Sequence, residues 1–248
     1  MTLQTYSHGV GMHRLPIRNP FYRQKSVRSV NQVIPSSLLF EFSLPVRQCS
    51  PPSHRKTGRL LKQSELSHLF LPASLNEQPL FATVAAGWNP KGLGIVFHVF
   101  GKPAACAGSR SDVQHSDCAL IWIDTRPAGN VHRATEYCHH FACLPTDEQA
   151  DGHPSVVVQP IAQQRIQRIE SDPAKMTCRT HSKKDGYELE VWIPGDQLNG
   201  FREISDLGKV GFYCVMQDSH LGDQPLVVGD DFPTGYDPST WVQLELQS

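Results

Sequence analysis

The chain has 248 residues, with 23 Lys+Arg against 24 Asp+Glu and a formal net charge of −1. That balance excludes the global positive field that draws a protein to nucleic acid or an anionic membrane, and no apolar run approaches the ~18 residues that cross a bilayer as a helix. Nineteen prolines and eighteen glycines favour many short strands joined by turns, and the length suffices for one large β domain.

Residues 1–36 carry Arg14, Arg18, Arg23, Lys25 and Arg28 with no acid before Glu41 and no apolar periodicity. They lack the 7–15-residue apolar core of a secretory signal. The composition is that of a disordered basic tail, or of a start assigned too far upstream, ahead of one domain over 37–248. Strand signals begin at LLFEFSL (38–44). They continue through FATVAAGW (81–88), a hairpin turn at Asn89-Pro90-Lys91-Gly92, and LGIVFHVFG (93–101). ALIWID (119–124) and YCHHFACL (137–144) read as a second hairpin across a long loop, followed by SVVVQ (155–159). PIAQQRIQRIE (160–170) reads as one short helix. MTCRTH (176–181) and YELEVWI (187–193) follow, the latter stopped by Pro194-Gly195, with Asp196 placed to cap a turn that buries Leu198. KVGFYCVM (209–216) and TWVQLEL (240–246) complete about ten strands. The fold class is all-β: a single antiparallel β-sandwich, jelly-roll-like.

The seven cysteines, at 49, 106, 118, 138, 143, 178 and 214, are odd in number and form no CxxC pair. They read as reduced thiols and a cytoplasmic setting.

The densest polar cluster runs from Ile123 to Phe141. A polar ligand is bound by a few donors and acceptors around an aromatic platform. Asp124, Arg126, His132, Arg133 and His139 supply the polar groups, and Trp88 or Trp122 the platform. On a strand over 137–144, Tyr137, His139, Phe141 and Cys143 share one face, and Cys138 and His140 the other. Trp122 lies on the Leu120/Asp124 face. His132 is placed to approach Asp124 or Glu136, and Asp124 to pair with Arg126 or Arg133.

A different reading of the same cluster is a transition-metal site on His132, Cys138 and His140, or haem ligated by Met216 with His98 or His139. Asp218, Asp223, Asp230, Asp231 and Asp237 populate a turn-rich stretch whose hard oxygens suit calcium. Glu188 and Glu190 read as a solvated strand face, with Trp192 beside them facing a second layer or water. Trp241 reads as a core cap, and Trp88 as half exposed. No GxSxG, Walker A, GxGxxG or HExxH signature is present, so enzymatic activity has no motif to support it.

Four segments taken together carry a resemblance. Asp117 to Asp124 brackets an apolar strand. Tyr187, Glu190, Ile193, Pro194 and Leu198 match Y-x-x-E-x-x-I-P-x-x-x-L, and Gly211 to Asp218 matches G-x-x-x-x-x-x-D. DPSTWVQLEL closes the chain. In this order they resemble the family 9 carbohydrate-binding modules and their DOMON-like relatives, over roughly residues 77–248. The resemblance implies a β-sandwich that binds carbohydrate or a small polar ligand without catalysis. It also implies calcium and a two-tryptophan clamp, which maps onto no named pair here. The alternatives are a structural or interaction protein that keeps the sandwich without the sugar site, and a metal- or haem-binding protein using 132–140. No cofactor is fixed by the residues alone, calcium being the one the resemblance implies. The expected partner is carbohydrate or another small polar ligand, not nucleic acid or membrane.

Overall fold

Alternation of apolar and polar side chains dictates the architecture, since each strand offers one face to a core. A computed structural model describes residues 34–53, 58–165 and 171–248. The elements in chain order are β1 (Ser43–Arg47), β2 (Ser67–His68), β3 (Ala82–Asn89), β4 (Gly92–Phe100), β5 (Cys118–Asp124), β6 (Cys138–Leu144) and β7 (Ser155–Val158). They continue with β8 (Thr177–Lys183), β9 (Gly186–Pro194), one short helix α1 (Ile204–Leu207), β10 (Lys209–Asp218), β11 (Gly222–Pro225) and β12 (Val242–Gln247). They form two sheets. The first has the order β1-β12-β10-β5-β6-β7, with β11 also on β10, and the second has the order β2-β3-β4-β9-β8. Between them Ile121, Ile123, Phe141, Phe212 and Leu244 of the first sheet meet Val84, Phe97, Leu189 and Val191 of the second.

Both expected hairpins form: β3 with β4 across Asn89–Gly92, and β5 with β6 with Asp124 opposite Cys138. The first strand departs from expectation. Residues 36–39 make a 3-10 turn, and the strand starts at Ser43, where Leu44 and Val46 alternate inward. It pairs parallel with β12 at the edge of its sheet, a position that tolerates Pro45. Asp196 lies inside a 3-10 turn (Gly195–Gln197) and makes no cap, although Leu198 is buried as expected. Residues 161–165 are not helical, and 166–170 lie outside the described residues, as do residues 1–33 of the basic segment.

Two acidic residues overturn the solvated-face reading. Glu188 is 4% exposed and Glu190 is fully buried, because residues 58–66 cross the outer face of the second sheet as a strap. Glu190 accepts the Leu60 and Leu61 amides at 2.7 and 3.4 Å and bonds His181 Nε2 at 2.9 Å. Glu188 pairs with the Arg59 guanidinium and accepts from Gln63 at 2.7 Å. Leu60, Leu61 and Leu66 then cover Trp192 in a small second core.

A buried charge triad closes one end of the sandwich. Lys102 follows β4, Asp117 precedes β5 and Asp218 ends β10. The Lys102 ammonium lies 3.0 Å from Asp117 and 2.9 Å from Asp218, with all three side chains essentially inaccessible. Burial alone would raise the Asp117 pKa, but the amides of Ser219 and Ala107 and the ammonium outweigh it and hold the carboxyl below its usual range. Asp218 accepts the amides of His220 and Leu221. Removing one partner of a buried ionic group strands the others. Lys102→Met is therefore expected to lose about 3–5 kcal/mol in urea unfolding, whereas a loss under about 1 kcal/mol would show the triad to be replaceable.

Candidate functional site

The outer face of the first sheet carries a transverse row of rings. His140 on β6, Trp122 on β5 and Tyr213 on β10 sit in register. The Trp122 and His140 rings stack 4.0 Å apart with planes 11° from parallel, and Tyr213 tilts against Trp122 at 5.3 Å. Tyr213 donates to the Val228 carbonyl at 2.6 Å, which fixes the covering segment after β11. Trp122 Nε1 and His140 Nε2 are both buried, with no hydrogen-bond partner among the described residues. His140 Nδ1 lies 3.2 Å from the Pro160 carbonyl, so Nδ1 carries the proton and Nε2 presents a lone pair. Burial lowers the His140 pKa to about 4, which keeps the ring neutral. A bare donor and a bare acceptor thus stand on adjacent stacked rings.

Beyond Trp122 on the same strand face lies Asp124, which is buried. It accepts the Arg126 amide at 2.9 Å, and burial raises its pKa. The expected Asp124–Arg126 or Asp124–Arg133 ion pair is replaced by this backbone bond. The Arg126 guanidinium instead lies 4.3 Å over the Tyr137 ring and 3.6 Å from Glu203. Arg126 also lines an open cleft of about 220 Å³ with Pro127, Glu203, Leu207 and Lys209.

The remaining expected site residues disperse. Trp88 faces the core and is 4% exposed, not half exposed. Its Nε1 donates to the Gln247 carbonyl at 3.0 Å, since its strand parity sets it with Val84 and Ala86 between the sheets. His139 faces inward from β6, where Nε2 accepts the Asn199 amide at 2.9 Å. Burial lowers its pKa to about 4. His132 is 74% exposed and pairs with Asp237 at 3.1 Å, not with Asp124 or Glu136. Arg133 is exposed on the same loop.

The metal reading on His132, Cys138 and His140 is not supported by their placement. Cys138 bonds Asp124 and Thr135, and burial raises its pKa to about 12. Among the described residues the one grouping with metal-ligand spacing is His181, Glu188 and Glu190, and Arg59 already sits against both carboxylates. The C-terminal acids do not gather either: Asp218 belongs to the Lys102 triad, and Asp237 receives Ser239 and His132. Trp241 is a core cap as expected, its Nε1 donating to the Thr234 carbonyl at 2.7 Å. No helix among the described residues is long and apolar enough to cross a membrane. The Trp122–His140 pair was only half visible in the sequence: parity gave each residue its face on its own strand, but the register that brings the two rings together, and the cover that leaves them short of partners, are set by the fold.

No family model and no curated protein sequence matches the chain. Solved structures do. A family 9 carbohydrate-binding module from Caldicellulosiruptor kristjanssonii matches in complex with cellotriose at TM-score 0.54 and 13% identity, over 84% of this chain and 94% of that one. In complex with glucose the values are 0.56, 12%, 84% and 96%. An inferred carbohydrate-binding protein from Bacteroides uniformis matches at 0.52 and 12%, over 83% and 99%. The fold is therefore that of the family 9 modules.

The two depressed histidines set an acid sensitivity. In the unfolded chain an imidazole titrates near its ordinary value of about 6.5. In the fold both titrate at about 4. The unfolded state thus binds more protons below pH 6.5, so stability is complete above that pH and is lost as the pH falls toward 4. Each histidine is expected to remove about 2 kcal/mol between pH 7 and pH 5. Urea midpoints at the two pH values measure this. An unchanged midpoint, or a drop that persists in a His139→Gln/His140→Phe double variant, would contradict it.

Proposed function

We propose that this chain binds carbohydrate on the outer face of its first sheet, without catalysis of its own. The carrying observation is the bare donor of Trp122 stacked on the bare acceptor of His140. A buried polar atom without a partner costs about 1–3 kcal/mol, and such sites are retained where a ligand supplies the missing bond. A hydroxyl group is the smallest function that accepts from one atom and donates to its neighbour. A sugar presents such groups; with Trp122 6% and Tyr213 1% exposed and His140 half-buried, it approaches the row from the His140 end, where the cover after β11 is incomplete. Arg126 and Asp124, farther along the face, offer polar groups for the rest of the ring or the next unit. The fold's likeness to modules solved with cellotriose and glucose supports the same class of ligand.

The test is a thermal-shift and calorimetric titration with glucose, cellobiose and cellotriose. A ligand at one hundred times its Kd stabilises by ~2.7 kcal/mol, which moves the transition by several degrees. His140→Phe keeps the stack and removes the acceptor. It is expected to abolish the sugar-dependent shift while raising the unliganded melting temperature, since it relieves an unpaired group. Trp122→Phe is expected to weaken binding in parallel. Equal sugar binding by His140→Phe, or no response of the wild type to any of the three sugars, would reject the proposal.

A further inference from the structure

The outer face of the second sheet carries a separate cleft of about 300 Å³. Its floor is Thr177 and Arg179 of β8, its wall is Trp192 of β9, and its rim includes Ser53 and Lys175. Thr177 and Arg179, two apart, share a strand face, and Lys175, at the end of the 3-10 turn (Pro173–Lys175) ahead of β8, lines the same cleft. In β9 Trp192 stands opposite Thr177. The indole lies against two glycines of β4: a Cβ at Gly92 would come within 2.8 Å of the Trp192 ring and one at Gly94 within 3.4 Å. The ring is fixed, because β4 has no side chain at either position beneath it and Leu60, Leu61 and Leu66 cover it, so that at 4% exposure only a small part of it borders the cleft. Arg179 is fixed as well, Nη1 donating to the Gly58 carbonyl at 2.9 Å and Nη2 to the Ser53 carbonyl at 3.3 Å.

The charge of this cleft is one-sided. Among the described residues lining it are two cations and no carboxylate. Lys175 is exposed and makes no ion pair among the described residues. The acids around it are committed elsewhere: Glu190, opposite Arg179 in register, to the strap amides and His181, Glu188 to Arg59, Gln63 and Lys183, and Asp172, at the head of the Lys175 turn, to the Ala174 amide. The volume is that of a single small ring, and a guanidinium held in place with an exposed ammonium beside it suits an anionic group on such a ring.

We infer that this cleft is a second ligand site, taking a monosaccharide-sized ring that bears an anionic group, a carboxylate or a phosphate. The site does not involve Trp122 or His140, so it stands or falls apart from the binding face of the first sheet. The test uses the full chain, titrated calorimetrically with D-glucuronate and glucose 6-phosphate, with glucose and inorganic phosphate as controls. One of the two anionic sugars is expected to bind with a Kd between about 10 µM and about 1 mM, more weakly as salt rises. Lys175→Glu is expected to weaken that binding at least about tenfold, Lys175→Arg to preserve it, and His140→Phe to leave it unchanged. Which of the two sugars binds identifies the anion. The inference is overturned if neither binds by about 10 mM, if inorganic phosphate alone binds as tightly, if Lys175→Glu binds as the wild type does, or if His140→Phe abolishes binding.

Discussion

An ammonium locked between two carboxylates, out of reach of water, constrains how the two sheets can meet. Lys102 leaves the second sheet at the end of β4, and Asp117 and Asp218 flank the central strands of the first. Its backbone amide also donates to Asp185 in the turn between β8 and β9 at 3.0 Å, so one short loop ties three strand ends together. A charge triad of this kind contributes less to net stability than an apolar plug would, but it tolerates few alternative arrangements. Ala107, Ser219, His220 and Leu221 supply the remaining amides, leaving the Tyr187 hydroxyl nearby as a buried group with no partner among the described residues. At the opposite flank the sheets meet through an indole in place of charges, where Trp88 reaches the last strand.

Once the sheets are registered, each outer face becomes a surface that connecting segments cover. Strap 58–66 lies on the second sheet and is latched by Glu188 and Glu190. The segment after β11 lies on the first, tied through Tyr213 to Val228, while Trp241 bonds Thr234 further along. Covering a strand face turns its polar groups into interior groups, each of which then needs a partner. On the second sheet the partners are complete around both glutamates, and the part left uncovered is the cationic cleft beside Trp192. On the first sheet two ring nitrogens remain bare. The two candidate binding surfaces therefore have a common origin: each lies where its cover stops short of completing the polar chemistry beneath it.

What could be read from the sequence follows from the range of the interaction involved. The β3–β4 hairpin, the Pro194-Gly195 stop and the face of Trp122 are local matters of turn chemistry and alternation, and they appear as expected. Parity also placed His139 and His140 on opposite faces. It could not say that His139 faces an Asn199 amide, which lies 60 residues away. Glu188 and Glu190 look like a solvated pair because the strap that buries them is more than a hundred residues upstream. Lys102, in a Gly-Lys-Pro turn, has nothing about it to announce a buried ammonium, and the parallel pairing of β1 with β12 joins the two ends of the domain. Contacts of this length leave no periodicity to read.

The bare donor of Trp122 is the atom on which the functional account turns, and its indole N–H can be observed directly by 15N–1H NMR. Titration with cellotriose is predicted to move the Trp122 indole resonance progressively to saturation, with the indoles of Trp88, Trp192 and Trp241 left in place. A saturating titration in which the Trp122 resonance stays fixed while another indole moves would place the sugar elsewhere and contradict the account.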